Sequence, residues 1–278
     1  MLRALRAALP SERFIYLGDT ARLPYGTKSR ASIERYALQA AKALIGYDVK
    51  CLVVACNTAS AVALPALQRQ LREDAKALFD PPVIGVVDPG AAAGAQVSRN
   101  GRIVVLATES TVRGGAYQAA IERLRPDAAV KSIACPLFVA LAEEGLTGGP
   151  IVEAVARHYL TGVFDVTAGG SMGGPMDGRP DTLVLGCTHF PVLKDALRRV
   201  VGAEVAIVDS AVTTAEVLRA TLERRGLLSS AGAAQRGSLR FLATDGCERF
   251  ARVGSLFLGA PLDPADIELV DLTDRQGP

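Results

Sequence analysis

Two stretches of this chain follow one plan, and that repetition limits the folds open to it more than any other feature. Leu52 to Ser60 reads LVVACNTAS, and Leu183 to Pro191 reads LVLGCTHFP. In each, an apolar run passes through a small residue into a cysteine and a polar pair, and helix-compatible sequence follows. Each is succeeded by a second apolar run that ends in aspartate, IGVVDPG from Ile84 and VAIVDSA from Val205. Short apolar runs that alternate with helical stretches make a parallel sheet with right-handed crossovers. Two matching half-sites suggest a duplicated unit.

The rest of the chain fits that alternation. In MLRALRAALP, residues Leu2, Leu5 and Leu9 share one helical face, and no cleavage site or apolar h-region follows that would mark a targeting peptide. Phe14 to Gly18 (FIYLG) is a strand that delivers Asp19 and Thr20 into the loop ARLPYGTKS. A helix over 29–46 is opened by Ser29 or Ser32 and closed at Gly46. Strand 51–55, helix 59–73, strand 83–87 and helix 89–99 follow. A second series runs through strand 102–107, a helix near 113–125, a strand near 130–134, helix 150–164 and strand 182–186. Gly169 to Gly178, rich in glycine and proline, is expected to be a mobile surface connection. Helix 190–201, strand 205–208, helix 212–225, strand 239–244, helix 247–258 and a last strand in ADIELVDLT complete the chain.

Bulk properties exclude several classes. The 278 residues suffice for about two domains of 100 to 150 residues. Net charge is +2 with scattered basic residues, and tryptophan is absent, so neither an electrostatic footprint nor a stacking surface for nucleic acid is visible. No apolar run approaches the roughly 20 residues that span a bilayer. Five cysteines, an odd number without a CxxC pair, fit a reducing cytoplasm better than a disulfide framework.

A cysteine between a strand's carboxyl end and a helix's amino end meets unpaired N–H groups and the helix dipole, both of which favour thiolate over thiol. Cys56 and Cys187 are therefore candidate bases or nucleophiles. The same N–H groups, helped by Asn57, Thr58 and Thr188, suit a carboxylate or phosphate. His189, two residues from Cys187, can hold or relay a proton near neutral pH. Cys51, Cys135 and Cys247 read as small hydrophobes, and His158, mid-helix in VARHYL, as an exposed or satisfied side chain. Cys56, Cys187 and His189 would give zinc only three ligands at spacings that match no zinc signature, so no metal is expected.

CNTAS, GCTHFP, the GDTARLPYG loop and the TDGCERF segment together resemble the glutamate racemases of the aspartate/glutamate racemase superfamily, over nearly the whole chain from Leu2 to Thr273. CNT is shared with aspartate and hydantoin racemases, whereas the PYG loop combined with GCTHFP points to glutamate. The resemblance implies an α/β fold of two pseudo-symmetric doubly wound parallel-sheet domains with the site in the cleft between them. Their bounds would be 1–89 plus 210–278 and 90–209, hinged at the two Val-Asp crossovers. It implies cofactor-free interconversion of L- and D-glutamate that supplies D-glutamate for peptidoglycan in the cytoplasm. Cys56 would take the proton from D-glutamate and Cys187 from L-glutamate.

By the same resemblance Tyr25 and Gly26 belong to the substrate loop. Asn57-Thr58 and Thr188-His189 supply the carboxylate and amino contacts, and His189 also assists Cys187 as acid/base. Glu143 or Glu144 lies near the site, the choice between them left open. The expected partner is the small-molecule substrate, with neither nucleic acid nor membrane; the oligomeric state is not legible, a homodimer being one option. The family's opening strand and its Asp-Ser-Gly turn are not matched, since Met1 aligns with the following helix. The expectation from this is that upstream codons encode that strand. The rival readings are a racemase for aspartate or a hydantoin, and a non-catalytic glutamate-binding protein.

Overall fold

Along the chain, apolar runs become strands and the amphipathic stretches between them become the helices that cover those strands. The computed structural model describes residues 1–74, 81–164, 178–230 and 236–272. The first part comprises α1 (Leu2–Ala8), β1 (Phe14–Gly18), α2 (Arg30–Ile45), β2 (Leu52–Val54), α3 (Asn57–Asp74), β3 (Val83–Gly85) and α4 (Val87–Val97). Then come β4 (Arg102–Ala107), α5 (Glu109–Arg113), α6 (Ala116–Leu124), β5 (Ala129–Ala134), α7 (Pro136–Glu143) and α8 (Pro150–Leu160). The chain continues through β6 (Thr182–Gly186), α9 (Lys194–Val201), β7 (Ala206–Asp209), α10 (Ala211–Arg224), β8 (Leu239–Ala243), α11 (Cys247–Leu258) and β9 (Ile267–Leu269). No helix among the described residues is long and apolar enough to cross a membrane.

The strands form three parallel sheets, ordered β1-β8-β9, β2-β3 and β5-β4-β6-β7. In the four-stranded sheet, successive residues of β4 and β6 point to opposite faces, and both faces are dry. Val104, Leu106, Leu183 and Leu185 pack with Phe138, Val152, Phe190 and Leu197 on one side. Ile103, Val105, Ala107 and Val184 pack with Val87, Ala91, Tyr117 and Ile121 on the other. This is why these strands are uninterrupted apolar runs rather than alternating ones.

Elsewhere the helices use single apolar stripes. Ile33, Ala37 and Ala41 of α2 meet Val62, Ala63 and Leu67 of α3. Leu5 and Leu9 meet Ala215, Leu218 and Leu222 of α10, as the opening periodicity predicts. Phe241 and Ala243 of β8 receive Phe250 and Ala251 of α11.

Several elements differ from the sequence reading. The helix expected at 113–125 is two, α5 and α6, because Gly115 takes φ +62° and breaks the ladder. α7 had no counterpart in the reading. The helix expected at 190 opens as a 3-10 turn over Phe190–Leu193, and the α-helix begins only at Lys194. β3 is shorter than 83–87 because Val87 already belongs to α4. At α2 the structure selects Ser29 as cap, its hydroxyl accepting from the Ser32 N–H at 3.3 Å. Of the glycine-rich stretch, residues 169–177 lie outside the described residues.

Candidate active site

Cys56 ends the β2 run immediately before α3, an 18-residue helix, so the first-turn N–H groups of a long dipole converge on its sulfur. Burial pushes this thiol above its ordinary pKa, and the Ala59 N–H opposes that by hydrogen bonding to the charged form. A charge on Cys187 raises it further, while the N–H and hydroxyl of Thr58 lower it.

Cys187 stands in the matching place after β6, but its support is of another kind. The tight turn that follows it, with Pro191 inside, does not present the N–H row of a long helix. Side chains take over that role. The Cys187 sulfur lies 3.8 Å from His189 Nδ1, and His189 Nε2 lies 2.7 Å from Glu143 Oε1. Arg249 of α11 donates to Glu143 Oε2 at 3.0 Å. The Phe257 ring meets the imidazole edge-on at 5.5 Å. Burial alone would depress the imidazole pKa, yet hydrogen bonds to Cys187 and Glu143 outweigh it and raise it to about 10. Glu143 is held below the ordinary carboxylate range, chiefly by its hydrogen bond with His189 and, against burial, by Arg249 as well. The symmetric expectation of two helix-mouth cysteines is thus corrected: one uses backbone donors, the other a His-Glu-Arg chain.

This chain has a pH signature. A raised imidazole pKa contributes stability that is complete below about pH 6.5 and fades as pH rises through 10; a lowered Glu143 pKa contributes stability lost below about pH 4.5. The melting-temperature advantage of the wild-type protein over His189→Asn should peak between about pH 5 and 6.5 and shrink towards pH 10. A difference independent of pH would show that no ion pair forms.

The other expected residues have different surroundings. Glu143, not Glu144, reaches His189; Glu144 ends α7 facing solvent. Thr188 is partly exposed beside Cys187. Thr58 hydrogen-bonds Thr108 Oγ1 at 2.9 Å, and Thr108 contacts Thr111 at 3.1 Å, a buried cluster joining α3 to the loop after β4. Gly26 packs on that cluster so closely that a Cβ there would lie 2.6 Å from Thr108 Cβ, which only glycine avoids. Tyr25 does not offer a free hydroxyl: it donates to Asp19, whose carboxylate also takes Arg22 Nε at 2.9 Å and Thr244 Oγ1 at 3.0 Å. Its pKa is raised, first by burial and then by Asp19, so it remains a donor.

Asn57 is buried, with Oδ1 accepting from the Tyr117 hydroxyl at 2.7 Å. Cys135 is fully buried in the same apolar cluster as Cys187, and Cys51 and Cys247 are partly buried against other clusters. His158 is exposed on α8.

Four participants were not identified from sequence: Tyr16, Thr108, Tyr117 and Arg249. The Tyr16 phenol is raised by burial and then by the charges of Cys56 and Glu143. Arg249 lies in the quoted TDGCERF segment, but nothing in that pattern distinguishes it from any exposed helical arginine.

A family model described as Asp/Glu/Hydantoin racemase matches residues 1–218. The chain belongs to that family. It is 44% identical over 262 residues to the glutamate racemase of Geobacter metallireducens, which covers 94% of this chain and 89% of that protein. Its structure is similar to that of Francisella tularensis glutamate racemase in complex with D-glutamate: TM-score 0.82 at 35% identity, over 98% of this chain and 92% of the other. It is also similar to Thermus thermophilus glutamate racemase in complex with beta-chloro-D-alanine: TM-score 0.78 at 40% identity, over 98% and 91% of the two chains. The protein is therefore a racemase, an α/β enzyme of the two-domain type found in those structures.

Proposed function

We propose that this racemase interconverts L- and D-glutamate with two cysteines and no cofactor. The observation that carries the reading is that each of the two cysteines has its own activating group, the first turn of α3 behind Cys56 and His189 Nδ1 3.8 Å from the Cys187 sulfur. A single base on one face would remove and return the α-proton without inverting the centre; two opposed groups can invert it. In one direction the Cys187 thiolate takes the α-proton of L-glutamate and becomes a thiol, while the Cys56 thiol delivers its proton to the other face and becomes a thiolate. The reverse direction exchanges the roles, with Cys56 taking the proton from D-glutamate. No net proton is consumed.

The α-proton is weakly acidic and a thiolate is a mild base, so the developing carbanion needs stabilisation. Preorganised donors at the start of α3, together with the Thr188-His189 turn, are suited to that task. His189, protonated and held by Glu143, can steady the Cys187 thiolate or return a proton to it. Residues 1–89 with 210–278 would form one domain and 90–209 the other, and motion at the Val-Asp crossovers would admit substrate. D-glutamate made this way would serve peptidoglycan synthesis in the cytoplasm.

The test is loss of circular dichroism from L-glutamate and from D-glutamate by purified protein that has been exhaustively chelated and dialysed. Both enantiomers should approach the racemate without added metal, pyridoxal phosphate or nucleotide. Recovery of activity only on adding zinc or pyridoxal phosphate would overturn the cofactor-free scheme. Faster turnover of aspartate or a hydantoin would reassign the substrate.

A further inference from the structure

Asn57, the first residue of α3, is 2% exposed and adjoins Cys56. Its Oδ1 is occupied by the Tyr117 hydroxyl, but its Nδ2 is buried without a hydrogen-bond partner. A buried amide hydrogen left unpaired is costly, so a ligand acceptor at this point would be strongly favoured. An amide can present either end, and something must decide which end faces the ligand. Tyr117 is placed to decide it.

Its ring is 2% exposed and lies against two glycines. A Cβ on Gly90 would come within 2.6 Å of the Tyr117 hydroxyl oxygen, and one on Gly186 within 2.9 Å of its Cε2. Both glycines thus leave room for the ring, which then has little freedom to swing. Gly186 immediately precedes Cys187, so Tyr117 touches the backbone behind one sulfur while bonding to the residue after the other. Burial, and then the charges of Cys187, Asp209 and Asp88, keep the phenol protonated and so a donor. The described residues offer that proton only one acceptor, Asn57 Oδ1.

We infer that Tyr117 is a positioning residue: by donating to Asn57 Oδ1 across the junction of α6 and α3, it locks the amide with Nδ2 presented to a carboxylate of the bound amino acid. This inference rests on the glutamate reading above. It also links substrate binding to the approach of the two halves, because the donor and the amide it orients come from different halves.

The variants are Tyr117→Phe, Asn57→Ala and the double variant, each compared with the wild-type protein. The measurements are kcat and KM in both directions and the calorimetric Kd for D-glutamate. Tyr117→Phe should raise KM and Kd about tenfold, the order of one ill-placed hydrogen bond to a charged group. Its kcat should stay within about threefold, the mark of lost uniform binding. Once Asn57 is alanine, removing the hydroxyl should change KM and Kd less than about twofold, because nothing remains to orient. The double variant leaves neither partner unpaired, so it tests the coupling even if Tyr117→Phe alone melts early. Unchanged glutamate binding in Tyr117→Phe, or effects that multiply independently in the double variant, would overturn the inference while leaving the racemase reading intact. A wild-type protein that neither binds nor racemises glutamate overturns both.

Discussion

Cys56→Ser and Cys187→Ser should each reduce racemisation by roughly 10²- to 10⁴-fold or more, the range associated with loss of one general acid or base. Serine keeps the shape but is a far weaker acid than a thiol, so it can neither hold the negative charge nor return the proton on the required timescale. The two enantiomers have equal free energies, so kcat/KM must fall equally in both directions whichever cysteine is changed. Glutamate binding, read by calorimetry, should persist. Cys51→Ser, Cys247→Ser and Cys135→Ala should keep turnover, the alanine being chosen because Cys135 is completely buried in an apolar cluster. The scheme fails if Cys56 or Cys187 can be replaced with little loss while one of the other three cannot.

The second large effect concerns the side-chain relay. His189→Asn should lower kcat/KM by about tenfold to a hundredfold, and Glu143→Gln by about tenfold, through weaker acid-base assistance to Cys187. The two directions must again slow together, yet isotope effects can reveal which face is impaired. If proton transfer at Cys187 becomes limiting, the primary isotope effect with α-deuterated L-glutamate should grow. With α-deuterated D-glutamate it should shrink, because the slow step then involves a solvent-derived proton on Cys187. Equal changes for both enantiomers would mean that His189 serves the site generally rather than one sulfur. Arg249→Met, which removes the outermost member of the relay, should give the same asymmetry at smaller amplitude.

The different supports of Cys56 and Cys187 are what sequence could not supply. Their equivalence was legible because strand, small residue, cysteine and polar pair recur in one order. The central strands β4 and β6 were legible too, since they are covered on both faces and must be apolar along nearly their whole length. α7 was missed because PLFVALAE carries no polar stripe: Phe138 and Ala142 are fully buried, but the outward face is also apolar, with Pro136, Leu137 and Ala140 exposed. With the helix unseen, Glu143 and Glu144 were interchangeable. On a helix they point about 100° apart, and the packing of α7 beside the turn after Cys187 turns Glu143 towards His189.

The sequence by itself determined the repeating αβ order, the two cysteines and the polar residues that follow them. Local chemistry suffices for these, because hydrophobic period, helix caps and residue type act within a few positions. Only the tertiary structure decided that Tyr117 meets Asn57, that Thr108 meets Thr58, and that Arg249 closes on Glu143, contacts that span 60, 50 and 106 positions. Such contacts are set by how helices settle on a twisted sheet. Volume and shape throughout the core govern that settling, and no short stretch of sequence contains them.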